Sequence, residues 1–428
     1  MLSPPPSAVA APPLPRTGRG GPLANPDFRW LCLTQLATGL RMPMTFMTQT
    51  WYVASAAPES RRVLLLGLLA TLNGLAFLSY VLFGGAFADR YPRRLTLYVA
   101  HGGAFAAAAT TGLLLMMPGA SEGSGAWLPF FMVTFALFGV INAQDLPART
   151  AMIRDVVLPT NLTRAVTIFQ LCFAMTMVGA GLLAGTLIER LGFAPAYLVA
   201  SSWHLVILFA LWRMRLVETA ADPGASGQSV LANVREGWHH LDTDAAVRWT
   251  ILVTWVGVAA GVSVMGILVA AWVSDVLELD AQGWGWLQMG WGLGGALGAA
   301  LLAWRGEYGR KGLLFLGLTF VFGLCVLGFG LSRAVVLAWL FNALAGGAFQ
   351  LMRVLGIAIV QSSVPNRLLG RVMGLLILAQ GIAQGSGLLF GSLGQAIGLE
   401  LMFPLAGIGI MLLALSVFAA QEPLRRLN

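Results

Sequence analysis

Gly85-Ala86-Phe87-Ala88-Asp89-Arg90-Tyr91-Pro92-Arg93-Arg94 closes one long apolar run and opens the next. The runs on either side lie at roughly 62–88 and 95–117. A segment of about 20 apolar residues crosses a bilayer as a helix, because lipid offers backbone amides no partners outside their own segment. The stretch therefore reads as a short turn between two membrane spans. Arg90, Arg93 and Arg94 place it on the face where basic residues collect. Asp89 is the informative member, because that rule asks for no acidic residue there.

Working outward, apolar runs fall at roughly 28–54, 62–88, 95–117, 126–148, 165–188, 194–213, 248–273, 284–304, 312–331, 335–360, 372–396 and 402–420. The expectation is an all-α integral membrane protein of twelve spans. Composition agrees: the chain is 57% hydrophobic and 10% charged, against about 25% charged in a soluble domain. The formal net charge is +8, nearly all from arginine, with Lys311 the only lysine. These arginines sit between apolar blocks, which points to topology and away from nucleic acid. With the N-terminus in the cytoplasm, 20 of the 26 basic residues fall in inner segments, Arg149 and Arg154 among them, and both termini lie inside.

Residues 1–27 are rich in Pro, Ala and Gly and read as a disordered tail, not a signal peptide. Cys32, Cys172 and Cys325 are far apart and each lies in a span, so they read as packing residues. Trp30, Trp51, Trp127, Trp203, Trp212, Trp272, Trp304 and Trp339 lie toward span ends, where indoles favour the interface.

The composition changes at 216–247. Leu231, Val234, Trp238 and Leu241 repeat with helical spacing, with Arg235, Glu236, His239 and Asp242 between them. This reads as a linker with an amphipathic helix on the inner surface. His239, His240 and Asp242 read as its solvated face, not a metal site. The linker divides a six-helix bundle at 28–215 from a second at 248–420, leaving 421–428 as a tail. The halves share weak similarity. Tyr91-Pro92-Arg93-Arg94 matches Tyr308-Gly309-Arg310-Lys311, and Phe135, Gln144 and Pro159 match Phe341, Gln350 and Pro365 at an offset of 206 (341 minus 135). A parallel repeat of two six-helix halves is a transporter plan with its site between the halves.

The 85–94 stretch resembles the signature loop of the major facilitator superfamily: a glycine, an Asp-Arg pair, then two basic residues between spans 2 and 3. The resemblance implies a latch in which Asp89 lies near the start of span 11, at Gly370 and Arg371, and near Arg149 or Arg154. Further stretches resemble the branch of exporters for enterobactin and macrolides: Asn25-Pro26-Asp27-Phe28-Arg29, Met47-Thr48-Gln49-Thr50-Trp51-Tyr52-Val53, Pro147-Ala148-Arg149, Arg235-Glu236-Gly237-Trp238, and Pro365-Asn366-Arg367-Leu368-Leu369-Gly370-Arg371-Val372. The antiporter glycine–proline signature of span 5 is incomplete, because Gly179, Gly181 and Gly185 stand without a proline.

An intramembrane charge costs about 2.5–3.5 kcal/mol on insertion scales and marks a candidate site. Arg41, halfway along span 1, is the leading candidate for a substrate contact, since a guanidinium suits a carboxylate or phosphate. Arg353 lies in the inner half of span 10. Asp145, near the inner end of span 4, can pair with Arg149 or with Arg353 across the halves. No acidic residue is expected deep in a span; His101 and His204 are the alternatives for a group that cycles its protonation, since imidazole titrates near neutral pH, set against the commoner reading of a lone histidine in a span as a bonded packing residue. The family's cavity spans make Gln49, Asn73, Asn142, Gln170, Trp255, Gln380 and Gln384 candidate lining groups. The gate set is Gly85, Asp89, Arg90, Arg93, Arg94, Asp145, Arg149 and Arg353.

The functional expectation is a secondary transporter that exports a small organic solute, drug-like, siderophore-like or another metabolite, by alternating access. The alternatives are a receptor or partner-binding protein on the same scaffold, or an importer or lipid-flipping member. The resemblance implies a monomer in a bacterial inner membrane, in contact with lipid and coupled to a proton or another ion. No paired carboxylates, nucleophile set, phosphate loop or metal cluster points to catalysis, a cofactor or nucleic-acid binding.

Overall fold

Backbone amides that cannot reach water close their hydrogen bonds within helices. The computed structural model describes residues 21–83, 91–117, 128–215, 230–305 and 309–427. Its first half holds α1 (Pro26–Ala56), α2 (Arg62–Phe83), α3 (Arg93–Leu114), α4 (Leu128–Val156), α5 (Leu162–Leu191) and α6 (Phe193–Arg213). After the surface helix α7 (Val230–Thr243) come α8 (Ala245–Asp275), α9 (Ala281–Arg305), α10 (Lys311–Leu331), α11 (Val335–Ser363), α12 (Asn366–Gly385), α13 (Gly387–Ile397) and α14 (Leu399–Ala420). Span 11 is α12 and α13 together. Among the described residues, ten helices are long and apolar enough to cross a membrane. The two below that threshold are α1 and α9; α1 carries Arg29, Arg41 and a run of threonines and glutamines.

Local chemistry fixes the ends. Asn25 caps α1 by accepting the amide of Asp27 at 2.9 Å, with Pro26 in the first turn. Asp244 caps α8 through the amides of Ala246 and Val247. Gly192 (φ 86°) and Gly398 (φ 83°) make the tight turns into α6 and α14, a conformation that side chains disfavour. Their offset is 206 (398 minus 192), the spacing of the sequence repeat.

Each half packs its own helices, and the halves meet along two seams, α2 against α12–α13 and α5 against α9. Both are close backbone approaches. A Cβ at Gly67 would sit 2.4 Å from the carbonyl oxygen of Gly387, and one at Gly185 would sit 2.3 Å from that of Ala281. One set of contacts across the seams lies at the end away from the termini, while the α2–α12 seam runs on past the middle of α2 to Leu78 against Gly381. Arg62 pairs with Asp275, Gln282 reaches Thr186, and Trp51 stacks on Trp284 with centroids 5.4 Å apart.

The apolar core is asymmetric. One cluster runs across both halves at the end away from the termini, from Met44, Trp51 and Leu66 to Met265, Trp272 and Trp284. Toward the termini it gives way to separate clusters. One belongs to the first half, around Phe28, Leu97, Ile153 and Phe169. Two belong to the second, around Phe315 and Leu355 and around Ile251 and Val360.

Several expectations change. Trp51 and Trp272 are buried. They stand where the halves meet, and Trp272 packs on Phe403 at 4.8 Å, so protein and not the interface takes the indoles. Trp212 and Trp304 are exposed, while Trp127 lies outside the described residues. The helix in the linker begins at Val230, with Leu241 buried and Trp238 half-exposed. Residues 216–229 and the side chains of Leu231 and Val234 lie outside the described set. His239 and Asp242 are exposed and 3.8 Å apart, and no metal-holding group occurs among the described residues.

Candidate functional site

The Thr and Gln residues of α1 repeat at helical spacing and line its inward face. Arg41, Thr45 and Gln49 follow one another a turn apart, as do Phe138 and Asn142 on α4. These faces meet in a cleft between the halves, lined by Arg41, Met42, Thr45, Phe46, Gln49, Asn73, Phe135, Phe138, Asn142 and, from the second half, Gln384. Five expected residues thus come together: Arg41, Gln49, Asn73, Asn142 and Gln384. The cleft measures about 40 Å³, room for a few waters.

Three expected lining groups stand elsewhere. Gln170 is 3.5 Å from Gln35. Trp255 donates Nε1 to the carbonyl of Leu375 and packs on Trp238. Gln380 is exposed on α12.

Arg41 is 1% exposed. Its Nη2 reaches Asn142 Oδ1 at 3.4 Å and its guanidinium lies 5.8 Å from the Phe138 ring. Its Nε has no partner among the described residues. Gln49 donates to Tyr197 Oη at 2.6 Å and to Thr134 Oγ1 at 3.3 Å, while its Oε1 is left without a donor. An unsatisfied buried polar atom costs about 1–3 kcal/mol, so the cleft wall holds an open donor and an open acceptor. Tyr197 and Thr134 carried no sequence signal as site residues; only the packing of α6 on α1 and α4 brings them in.

Behind this wall lies an ionic network. Arg149 grips Asp145, with Nη2 at 2.7 Å from Oδ2 and Nε at 2.6 Å from Oδ1, the latter close but poorly aligned to donate. Arg149 Nη1 donates to Gln35 at 2.7 Å. His101 Nε2 is 3.2 Å from Asp145 Oδ1, and His101 Nδ1 is 3.0 Å from His204 Nδ1. His204 stacks on Phe138.

This corrects three expectations and decides between the two partners offered for Asp145. Asp145 is 3% exposed and lies well inside α4, because the helix runs on to Val156, about 16 Å further at 1.5 Å per residue. Arg149 is buried in the same helix, not in a loop. Asp145 pairs with Arg149; Arg353 hydrogen-bonds Gln350 at 3.2 Å. His101 and His204 form a pair, because α3 packs against α6.

The gate set is only partly visible. Gly85, Asp89 and Arg90 lie outside the described residues. Arg93 is 3.4 Å from Asp155, and Arg94 donates to the carbonyl of Trp212. Arg371 pairs with Glu236 on α7. Of the arginines expected near Asp89, Arg149 and Arg371 are engaged with other carboxylates, and Arg154 is exposed in the last turn of α4.

The sequence model of the Major Facilitator Superfamily matches residues 30–388. Among curated proteins, the enterobactin exporter EntS of Shigella boydii serotype 4 (strain Sb227) is 26% identical over 364 residues, 85% of this chain and 84% of that protein. EntS of Escherichia coli O81 (strain ED1a) is 26% identical over 362 residues, covering 84% of each. Solved structures share the fold at low identity. The nucleoside transporter NupG superposes with a TM-score of 0.70 at 10% identity, over 92% of this chain and 100% of that one. A D-xylose–proton symporter gives 0.66 at 13%, over 90% and 96%. A bacterial homolog of the human lysosomal transporter Spinster, inward-facing and unoccupied, gives 0.61 at 14%, over 93% and 96%. With a match across most of its length and the paired six-helix seams that go with it, the chain belongs to the major facilitator superfamily.

Proposed function

We propose that this transporter exports a small organic solute by alternating access, that its two six-helix halves pivot about the cleft at Arg41, and that both termini face the cytoplasm. One observation carries the pivot: the apolar core is continuous across the halves at one end and divided between them at the other. Such a molecule is sealed on the face away from the termini and parted on the face that bears them. Basic residues concentrate on the termini face, which supports a cytoplasmic assignment. The curated relatives are named as exporters, which supports the outward direction.

The chemistry of the wall favours a solute with an anionic or strongly accepting group for Arg41 and a donor for Gln49 Oε1. A cleft this small admits such a solute only after the halves part further. A thermal-shift panel of siderophores, macrolides, lysolipids and sugars on the purified protein identifies the solute, because a specific ligand stabilises by mass action. With that ligand, Arg41→Lys weakens binding and Arg41→Ala nearly abolishes it. Equal affinity in all three proteins removes Arg41 from the site. Accumulation in inside-out vesicles tests direction, and no accumulation there with uptake in right-side-out vesicles overturns export.

A further inference from the structure

We propose that Arg353 is a second anion contact, standing on the second-half wall of the parted space, and that the solute is a dianion held by Arg41 on one half and Arg353 on the other. The inference rests on the proposed role of Arg41 and deepens it by naming the solute's charge and the residue that selects for it.

Arg353 stands where packing alone gives no reason for a charge. It lies ten residues before the end of α11 (363 minus 353), about 15 Å along the helix axis, too deep for its side chain to snorkel to the surface. α11 begins at the end away from the termini, where Arg333 lies over Trp272. Arg353 Nη2 donates to Gln350 Oε1 at 3.2 Å, one turn back toward that end. The guanidinium therefore points toward the membrane centre, opposite to the direction of a snorkelling side chain. Among the described residues no carboxylate lies at ion-pair distance from it. A charge at such depth is expensive and is kept where it faces a cavity or a ligand.

The faces of α11 say what it looks into. Leu337, Leu340 and Leu344 are exposed and mark the lipid side of the helix. Arg353 follows Leu344 by nine residues (353 minus 344), two and a half turns, and so stands on the opposite side. Two packed lines flank it there. Gly346 and Gln350 lie against Trp291 and Gly295 of α9, and Gly356 lies against Phe315 of α10 and Thr254 of α8. Between these lines Arg353 is exposed yet ringed by protein, as in a recess and unlike a lipid-facing surface. It sits toward the end where the apolar core divides between the halves.

Arg41 is the counterpart on the first half. It stands fifteen residues from the start of α1 (41 minus 26), so, measured from the termini end of each helix, it lies about 7 Å deeper than Arg353. Each half thus offers one guanidinium with one amide partner, Asn142 for Arg41 and Gln350 for Arg353. Two cations that face one space repel, and closing the halves brings them nearer. A monoanion neutralises one of them. A dianion neutralises both and bridges the halves, so it binds best as they close, and its differential affinity favours the closed state.

Thermal shift of the purified full-length protein with matched acids tests this: butanoate against succinate, hexanoate against adipate, octanoate against suberate. In one pair the dicarboxylate is expected to bind about tenfold or more tightly than its monocarboxylate, the effect of one added charge contact. Arg353→Gln removes an intramembrane charge and should accumulate for that reason. It is expected to bring that dicarboxylate down to the affinity of its matched monocarboxylate, whereas Arg353→Lys keeps the charge and retains part of the gain. Dicarboxylates that bind no tighter than their partners in the wild type, or a gain that survives Arg353→Gln, overturn the inference. Monocarboxylate binding that depends on Arg41, with no gain for any dicarboxylate, leaves the proposed site at Arg41 standing without Arg353. A gain lost in Arg353→Gln, in a protein that moves no solute in vesicles, leaves the inference standing and overturns export.

Discussion

The two halves share a plan and stabilise it differently. The interior of the first half holds Asp145, Arg149, His101 and His204 in one buried network, with Arg41 beside it against the Phe138 ring. The second half fills the same kind of space with aromatic rings, such as Trp272 on Phe329 and Phe403 and Trp291 on Phe349. Its departures are in the backbone. A π-helical turn occupies Ser263–Leu268 in α8, and span 11 breaks at Ser386. Ser263 Oγ joins the two irregular places, donating to the carbonyl of Ala383 at 2.6 Å and lying 3.2 Å from Ser386 Oγ. A π turn re-aims the helix that carries it and often marks a functional position. One half thus concentrates charge and the other concentrates bends.

The sharpest way to break this contrast is Asp145→Asn. It leaves two buried guanidiniums without a carboxylate, and removing one partner of a buried ion pair costs about 3–5 kcal/mol. The variant is expected to unfold far earlier in a detergent melting experiment, and a wild-type melt shows that the ionic core of the first half is not structural. Next comes Gly67→Val, whose Cβ would meet the Gly387 oxygen and the Gly391 Cα at 2.4 and 2.8 Å. Each half still folds, but the sealed seam cannot close, so transport should fall by about tenfold or more, as expected when one conformer loses over 1.4 kcal/mol. Unchanged turnover in vesicles means the two halves do not seal there.

A smaller effect is expected from Arg62→Asp, which sets two acids together at the far end. Adding Asp275→Arg restores the pair, and recovery of the about 1 kcal/mol at stake is read in the double-mutant cycle. Smallest is Ser263→Ala. Interhelix hydrogen bonds in membranes average about 0.6 kcal/mol, so its melt barely moves. A loss as large as that of Asp145→Asn erases the contrast between the halves.

Much of the fold was legible because lipid imposes one rule on every segment. The apolar runs became helices, although Pro159 and Pro365 mark turns that precede α5 and α12 more sharply than hydropathy does. The site was less legible. Arg41 was found from its charge inside a span, and Gln49, Asn73, Asn142 and Gln384 from amides on the spans that the family resemblance assigns to a cavity, and the structure gathers them. Gln170 and Gln380, chosen as amides, and Trp255, chosen for apolar contact, stand apart, because residue type and span do not say which face of a helix a residue occupies. Asp145 and Arg149 were placed too near the end of span 4, since charge was taken to end a span that continues for two turns past Arg149.

By itself the sequence determined the all-helical membrane plan, where the long apolar segments fall, the repeat and the concentration of basic residues between them. These follow from hydrophobic length and charge, which are local properties read one segment at a time. Only the tertiary structure decided that His101 meets His204, that Asp145 belongs to Arg149, and that the core is shared at one end and divided at the other. Those facts depend on which helix faces pack together, and packing of small residues at close range, as at Gly67 and Gly185, is settled by three-dimensional fit and not by the order of residues along the chain.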